Sequence, residues 1–251
     1  MIRLLLLLVW PLTLLADQTI TLGSGISMPP YVIADKDRGI VVDVFRAALA
    51  EENIQVVLRY GDNDKVLQAF MDKSVDAVFV GKAEQFPAAY FSALPLIVFH
   101  NQAITLRADN YTIDTVEALQ PYRLGAFRLA TKLMPEPYPE VAAAITDYRE
   151  YTLQVEQVQD LFRRERQVLV MDRTIFRYFL SQLRRQNPAS ELYRQEQQYH
   201  DIFARSQYYA VFHSEMLRDS FDRGFQKIRD NGRYERILTV YQALLSDYLF
   251  R

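Results

Sequence analysis

The sequence predicts an α/β protein of two lobes, each built on a mixed, mainly parallel sheet. Three observations carry this. Short β-branched runs alternate with stretches of helical periodicity from Thr19 onward, and the same alternation restarts at Tyr122. Between the halves, Leu96 to Leu106 is apolar and β-branched for eleven residues, too long for an ordinary strand and without a helical stripe. It reads as an extended crossing between lobes, and Tyr208 to His213 reads as the second of two hinge strands.

Taken in order, Thr19 to Gly25 opens as a strand and closes on Gly23, Ser24 and Gly25, while Val42, Phe45, Leu49 and Ile54 are spaced for a helix over 39–54. Gln55 to Tyr60 predicts a strand, Lys65 to Lys73 a helix and Asp76 to Gly81 a strand. In the second half, a strand at Tyr122 to Phe127 leads into a helix opening near Leu129. A polar helix spans Leu153 to Arg164, a strand Gln167 to Asp172, and a helix Thr174 to Arg185. Two amphipathic helices, Met216 to Asp230 and Tyr234 to Leu245, close the chain, separated by Asn231 and the helix-stopping Gly232.

Composition excludes several classes of function. Half of the 251 residues are apolar, so the chain must bury a core. Lys and Arg total 29 against 31 Asp and Glu, a balance without the basic surface that nucleic-acid binding requires. The chain has no cysteine, which removes disulfides, thiolate catalysis, iron–sulfur clusters and a lipid-modified N-terminal Cys. His100, His200 and His213 fall on unrelated elements and predict no metal site, and neither a nucleophile elbow nor a complete dinucleotide fingerprint occurs, so no cofactor is expected.

Residues 1–16 have the shape of an export signal. Arg3 precedes an apolar run from Leu4 to Leu12, and Ala16 offers a small residue for cleavage. The run is shorter than the ~20 residues a bilayer-spanning helix needs, so a cleaved signal is expected in preference to an anchor. The expected mature chain begins near Asp17 and resides in the periplasm.

Pro29, Pro30 and Tyr31, followed by Gly39 and Asp43 at a helix start, resemble the first binding loop of the periplasmic solute-binding proteins that serve polar amino-acid ABC transporters, the extracellular solute-binding proteins of family 3. Val75, Asp76, Ala77 and Val78 resemble that family's strand after the second helix, and Phe91, Ser92 and Pro95 its segment before the first hinge. Gly125, Asp172 and the Asp230-Asn231-Gly232 turn fit its second lobe and tail. The resemblance runs over residues 19–245. It implies a type II periplasmic-binding fold, with lobe 1 formed by residues 17–100 and 207–251 and lobe 2 by 101–206. It further implies capture of a small polar solute between the lobes by a monomer, without catalysis, and delivery to an ABC permease or a membrane sensor. The alternatives are an enzyme on the same fold, of dehydratase or murein-lyase type, with Glu84 or Asp172 as acid or base, and a ligand-sensing role.

In such folds ligands sit at the carboxyl ends of strands. Tyr31, on its Pro-Pro mount, is expected to present ring and hydroxyl to the ligand. Asp172, ending a Val-Leu-Val-Met strand, is expected to accept from a ligand ammonium or to cap the following helix. Where the resemblance implies an arginine that forks onto the ligand carboxylate, this chain has Gln85. Lys82 or Arg128 is the candidate replacement, Arg128 the better because it opens a helix, where backbone amides favour an anion, and Thr131 adds a hydroxyl in the same turn.

Overall fold

The computed structural model describes residues 18–25, 27–80, 86 and 88–246. The expected signal segment lies outside them. In chain order the elements are β1 (Gln18–Gly25), β2 (Ser27–Met28), β3 (Val32–Ile33), α1 (Ile40–Ala50), β4 (Ile54–Gly61), α2 (Asn63–Met71), β5 (Ala77–Val80), β6 (Tyr90–Phe91) and β7 (Ile97–Phe99). Then follow β8 (Asn101–Leu106), β9 (Leu124–Phe127), α3 (Ala130–Leu133), α4 (Tyr138–Ala144), β10 (Tyr148–Tyr151), α5 (Gln154–Phe162), β11 (Val168–Asp172) and α6 (Arg173–Gln186). β12 (Gln197–His200), β13 (Ser206–Phe212), α7 (Glu215–Asp230) and α8 (Arg233–Ser246) complete the chain.

Two larger sheets result among the described residues. The first has the order β4-β1-β5-β13-β6, with β7 also on β13; the second has the order β10-β9-β11-β8-β12. Each is parallel on one side and antiparallel on the other: β4, β1 and β5 run parallel while β13 returns against β5, and β10, β9 and β11 run parallel while β8 returns against β11 and β12 pairs antiparallel with β8. This is the two-lobed α/β architecture expected from the alternation. The sequence pattern explains the order. All five residues of β11 are buried, as a strand covered on both faces requires, whereas β4 alternates buried and exposed near its start and lies at an edge.

The first crossing is as expected, an extended segment that pairs as β7 with β13, passes through His100 and continues as β8 in the second sheet. The second lies elsewhere. Tyr208 to Phe212 belongs to β13 and pairs with β5 and β7 inside the first sheet, so the chain returns between His200 and Ser206. Its apolar character reflects burial in a sheet, not passage between units.

The largest buried cluster is continuous across the seam. It runs from Leu22, Phe45 and Phe221 through Tyr31 and Phe99 to Met171 and Phe176. Under the first sheet, Phe45 lies 4.9 Å from Phe221 and 5.7 Å from Phe212, ring centre to ring centre. α1 and α7 approach so closely there that a Cβ on Gly224 would fall 1.9 Å from the Ala48 carbonyl oxygen. Both helices would have to separate to admit it. Gly224→Ala is therefore expected to lower stability by about 2 kcal/mol or more and the melting temperature by roughly 4 to 8 °C, readable by thermal unfolding.

A candidate ligand site where the two sheets meet

The loop that carries Tyr31 is built against the first turn of α1. The Ile40 and Val41 amides donate to the carbonyls of Pro30 and Tyr31, both at 3.0 Å, which satisfies helix-start donors that would otherwise lack partners. Gly39 makes this approach feasible: its φ is 147°, and a Cβ there would lie 2.3 Å from the Tyr31 carbonyl oxygen. The Tyr31 ring meets Phe99 edge-on at 4.7 Å, and Phe99 meets Tyr208 in the same way at 4.7 Å. Tyr31 thus rests on the first crossing, and only 6% of its surface is exposed.

Its hydroxyl donates to Asp172 Oδ1 at 3.2 Å, a contact between residues 141 positions apart that joins the two sheet units. Asp172 is 2% exposed. It ends β11 and caps α6, with Oδ1 accepting from the Thr174 and Ile175 amides at 2.9 and 3.0 Å. Oδ2 accepts the His100 amide at 2.8 Å. Burial pushes the Asp172 carboxyl above its usual range even though these donors pull it down. Burial and the facing carboxylate likewise raise the Tyr31 hydroxyl, which remains a donor at neutral pH.

Arg128 and Thr131 lie beyond β9, where Leu129 takes a left-handed conformation, φ 64°, and opens the single turn of α3. The Arg128 side chain is exposed and has no hydrogen bond or ion pair among the described residues. The Thr131 amide and hydroxyl both donate to Glu150 Oε1 at 3.0 Å, the Leu129 amide to Oε2 at 2.7 Å, and the Tyr148 hydroxyl to Oε1 at 3.0 Å. The anion on this turn is therefore the protein's own. Burial raises the Glu150 carboxyl, but the Thr131 and Leu129 amides and the two hydroxyls outweigh it, and the group sits below its ordinary value. Lys82 and Gln85 lie outside the described residues, as does Glu84.

Next to Tyr31 a groove of about 330 Å³ opens along the seam between the sheet units. Val32 and Asp35 form one wall, and Val155, Tyr178, Phe179 and Gln182 the other. The two crossings are tied to each other, with His100 Nε2 2.6 Å from Asp201 Oδ1. His200 meets the Thr105 hydroxyl at 3.0 Å, and His213 stacks on Phe70 at 3.8 Å.

Sequence reasoning missed Glu150 and the His100–Asp201 pair. Neither has a local signal: Glu150 stands in a polar four-residue strand that reads as a loop, and the histidine and aspartate meet only because two crossings lie side by side.

No protein-family model matches the sequence, and no curated protein matches it either. Solved structures do resemble it. A histidine kinase sensor domain with similarity to periplasmic binding proteins superposes with a TM-score of 0.70 at 17% identity, over 90% of this chain and 96% of its own. The probable amino-acid ABC transporter extracellular-binding protein of Bacillus subtilis gives 0.68 at 18% identity, over 90% and 98%. The arginine-, lysine-, histidine-binding protein of Geobacillus stearothermophilus gives 0.65 at 15% identity, over 89% and 95%. The chain has the two-lobed fold of periplasmic binding proteins.

The Glu150 pocket yields a pH test. Because its carboxyl is held below the ordinary value of 4.5, its stabilising contribution is complete above that pH and is lost as the pH falls through the lower folded-state value. Glu150→Gln is expected to be less stable than wild type at pH 7, with the gap closing as denaturant melts are taken from pH 5 toward pH 3. A gap that is constant with pH would mean that the carboxylate charge contributes nothing.

Proposed function

We propose that the protein is an extracytoplasmic solute-binding protein that closes its lobes over a small polar solute. Lobe 1 comprises residues 17–100 and 207–251 and lobe 2 residues 101–206, and the mature chain is a periplasmic monomer released by signal cleavage near Ala16. The observation that carries this reading is the hydrogen bond from Tyr31 to Asp172, since it joins two residues expected at the ligand from opposite sides of the seam. The similar folds include one protein named for binding arginine, lysine and histidine and one named as the probable extracellular-binding protein of an amino-acid ABC transporter, which supports capture and delivery rather than catalysis. Sensing is the second reading, favoured by the similarity to a histidine kinase sensor domain.

Arg128 is the cation proposed for an acidic ligand group, because its guanidinium has no partner among the described residues. Thr131 contributes through Glu150 rather than directly, since its amide and hydroxyl are already engaged. Gln85 in place of a clamping arginine forgoes a charge-assisted fork, and standard α-amino acids are expected to bind weakly.

A thermal-shift screen of the mature protein against amino acids, organic acids, amines and small peptides tests capture, since a ligand of the folded state raises the melting temperature by mass action. Small-angle scattering with the hit is expected to show a more compact particle. Tyr31→Phe removes one hydrogen bond to a carboxylate and is expected to weaken the hit by about tenfold through loss of the closed form, and Arg128→Ala to weaken an acidic hit by at least as much. No hit from the whole screen, or a hit that leaves the scattering profile and both variants unchanged, overturns the reading.

A further inference from the structure

α6 carries Arg173, Arg177, Arg184 and Arg185 and no acidic residue. Three of these arginines share one helix face, and the first of them lies on a tyrosine of the edge strand β12. The Arg173 guanidinium lies 4.9 Å from the centre of the Tyr199 ring, and Phe176 holds that ring from the side at 6.0 Å. Arg177 is one turn further along the same helix face. Arg184, on that face again, is fixed by donating from Nε to the Tyr193 carbonyl at 2.7 Å.

Among the described residues none of the three arginines forms an ion pair, while arginines elsewhere in the protein commonly do: Arg46 with Asp37, Arg166 with Asp147, Arg223 with Glu52. The carboxylate next in sequence, Asp172, turns its oxygens to Tyr31, His100 and the α6 amides. The Tyr199 hydroxyl makes no hydrogen bond among the described residues. The charges that act on it are those of Arg177, Arg173 and Arg184, with no carboxylate against them, and burial without a counter-ion pulls the Arg184 guanidinium below its usual range.

A row of like charges on one helix face, without an ion pair among the described residues, is unfavourable in the free protein and favourable to an arriving anion. A lone carboxylate is satisfied by one guanidinium fork, and three guanidinium groups with a hydroxyl donor match a tetrahedral group that carries more than one charge. We propose that Arg173, Arg177, Arg184 and Tyr199 form a binding site for a phosphate group on the face of the second-sheet unit, separate from the seam where Tyr31 meets Asp172. The phosphate is either free in solution, as inorganic phosphate or a soluble monoester, or the headgroup of a lipid.

Calorimetry of the full-length protein with inorganic phosphate, against sodium chloride at equal ionic strength, tests this together with sedimentation on phosphatidic acid vesicles and on neutral phosphatidylcholine vesicles. Phosphate is expected to bind where chloride does not. Arg177→Ala is expected to weaken it by about tenfold, and Arg173→Ala with Arg177→Ala to abolish it, while circular dichroism and the melting temperature stay near wild type. Tyr199→Phe, which keeps the ring, is expected to weaken it by about threefold. Free phosphate that binds without vesicle association assigns the site to a soluble ligand, and arginine-dependent sedimentation on phosphatidic acid alone assigns it to a lipid headgroup. Phosphate that acts no differently from chloride, with no vesicle preference, overturns the proposal. So does binding that survives the double variant.

Discussion

One buried carboxylate holds the parts of this protein in register. Asp172 takes donors from three places that are distant along the chain: the Tyr31 hydroxyl from the first-sheet unit, the His100 amide from the first crossing, and the Thr174 and Ile175 amides from its own helix. A carboxylate this deeply buried is stable as an anion only when hydrogen bonds replace the water it has lost. The donors here do not fully do so, since burial still raises its pKa. Each partner is therefore worth more than an exposed hydrogen bond, and loss of any one leaves a desolvated oxygen lone pair behind. The position of α6, the passage of the first crossing through His100 and the orientation of the Tyr31 loop are coupled through this one group.

Glu150 shows the opposite balance on similar terms. It also accepts from two amides and two hydroxyls, but it is only half-buried, so the donors prevail and its carboxyl is held below the ordinary value. Backbone amides at a helix start attract an anion whatever its source. In this chain β10 supplies that anion, and Thr131 faces it with both amide and hydroxyl. The helix start is thereby neutralised, and the Arg128 guanidinium has no partner among the described residues.

Most strands and helices that bury apolar faces were legible in the sequence, because their period and composition follow from what they must cover; α4, which buries Tyr138, Val141 and Ala142, was not, and the helix expected near Leu129 is the single turn of α3. Asp172 was legible for a related reason: an Asp that ends an apolar run and precedes a helical pattern must be near a strand end and a helix start at once, and it performs the capping there while also facing Tyr31. β10 and β12 were not legible. Tyr148-Arg149-Glu150-Tyr151 and Gln197-Gln198-Tyr199-His200 lie at opposite edges of the second sheet, where a strand needs little apolar content. Their pairing is decided by neighbours far along the chain. The same limit misplaced the second crossing: the apolar run at Tyr208 reports that it is buried, and only its register against β5 and β7 tells which sheet buries it.

The seam has a polar part and an apolar part, and they respond differently to opening. Tyr31, Phe99 and Tyr208 all travel with the first sheet, through the α1 contact of the Tyr31 loop and the pairing of β7 with β13. The proposed hinge movement would leave their edge-to-face contacts intact and break the Tyr31–Asp172 hydrogen bond. The apolar part, where α6 packs on α8 and the walls of the groove face each other, is exposed to water instead. Its cost grows with the area uncovered, whereas the hydrogen bond is lost at the first ångström or so of separation. In the proposed closure, a short-range latch and a longer-range apolar contact would act side by side across the same seam. A solute shifts the balance only by what it adds to the closed form beyond these two, and one that displaces the Tyr31 hydroxyl from Asp172 must replace the hydrogen bond it removes.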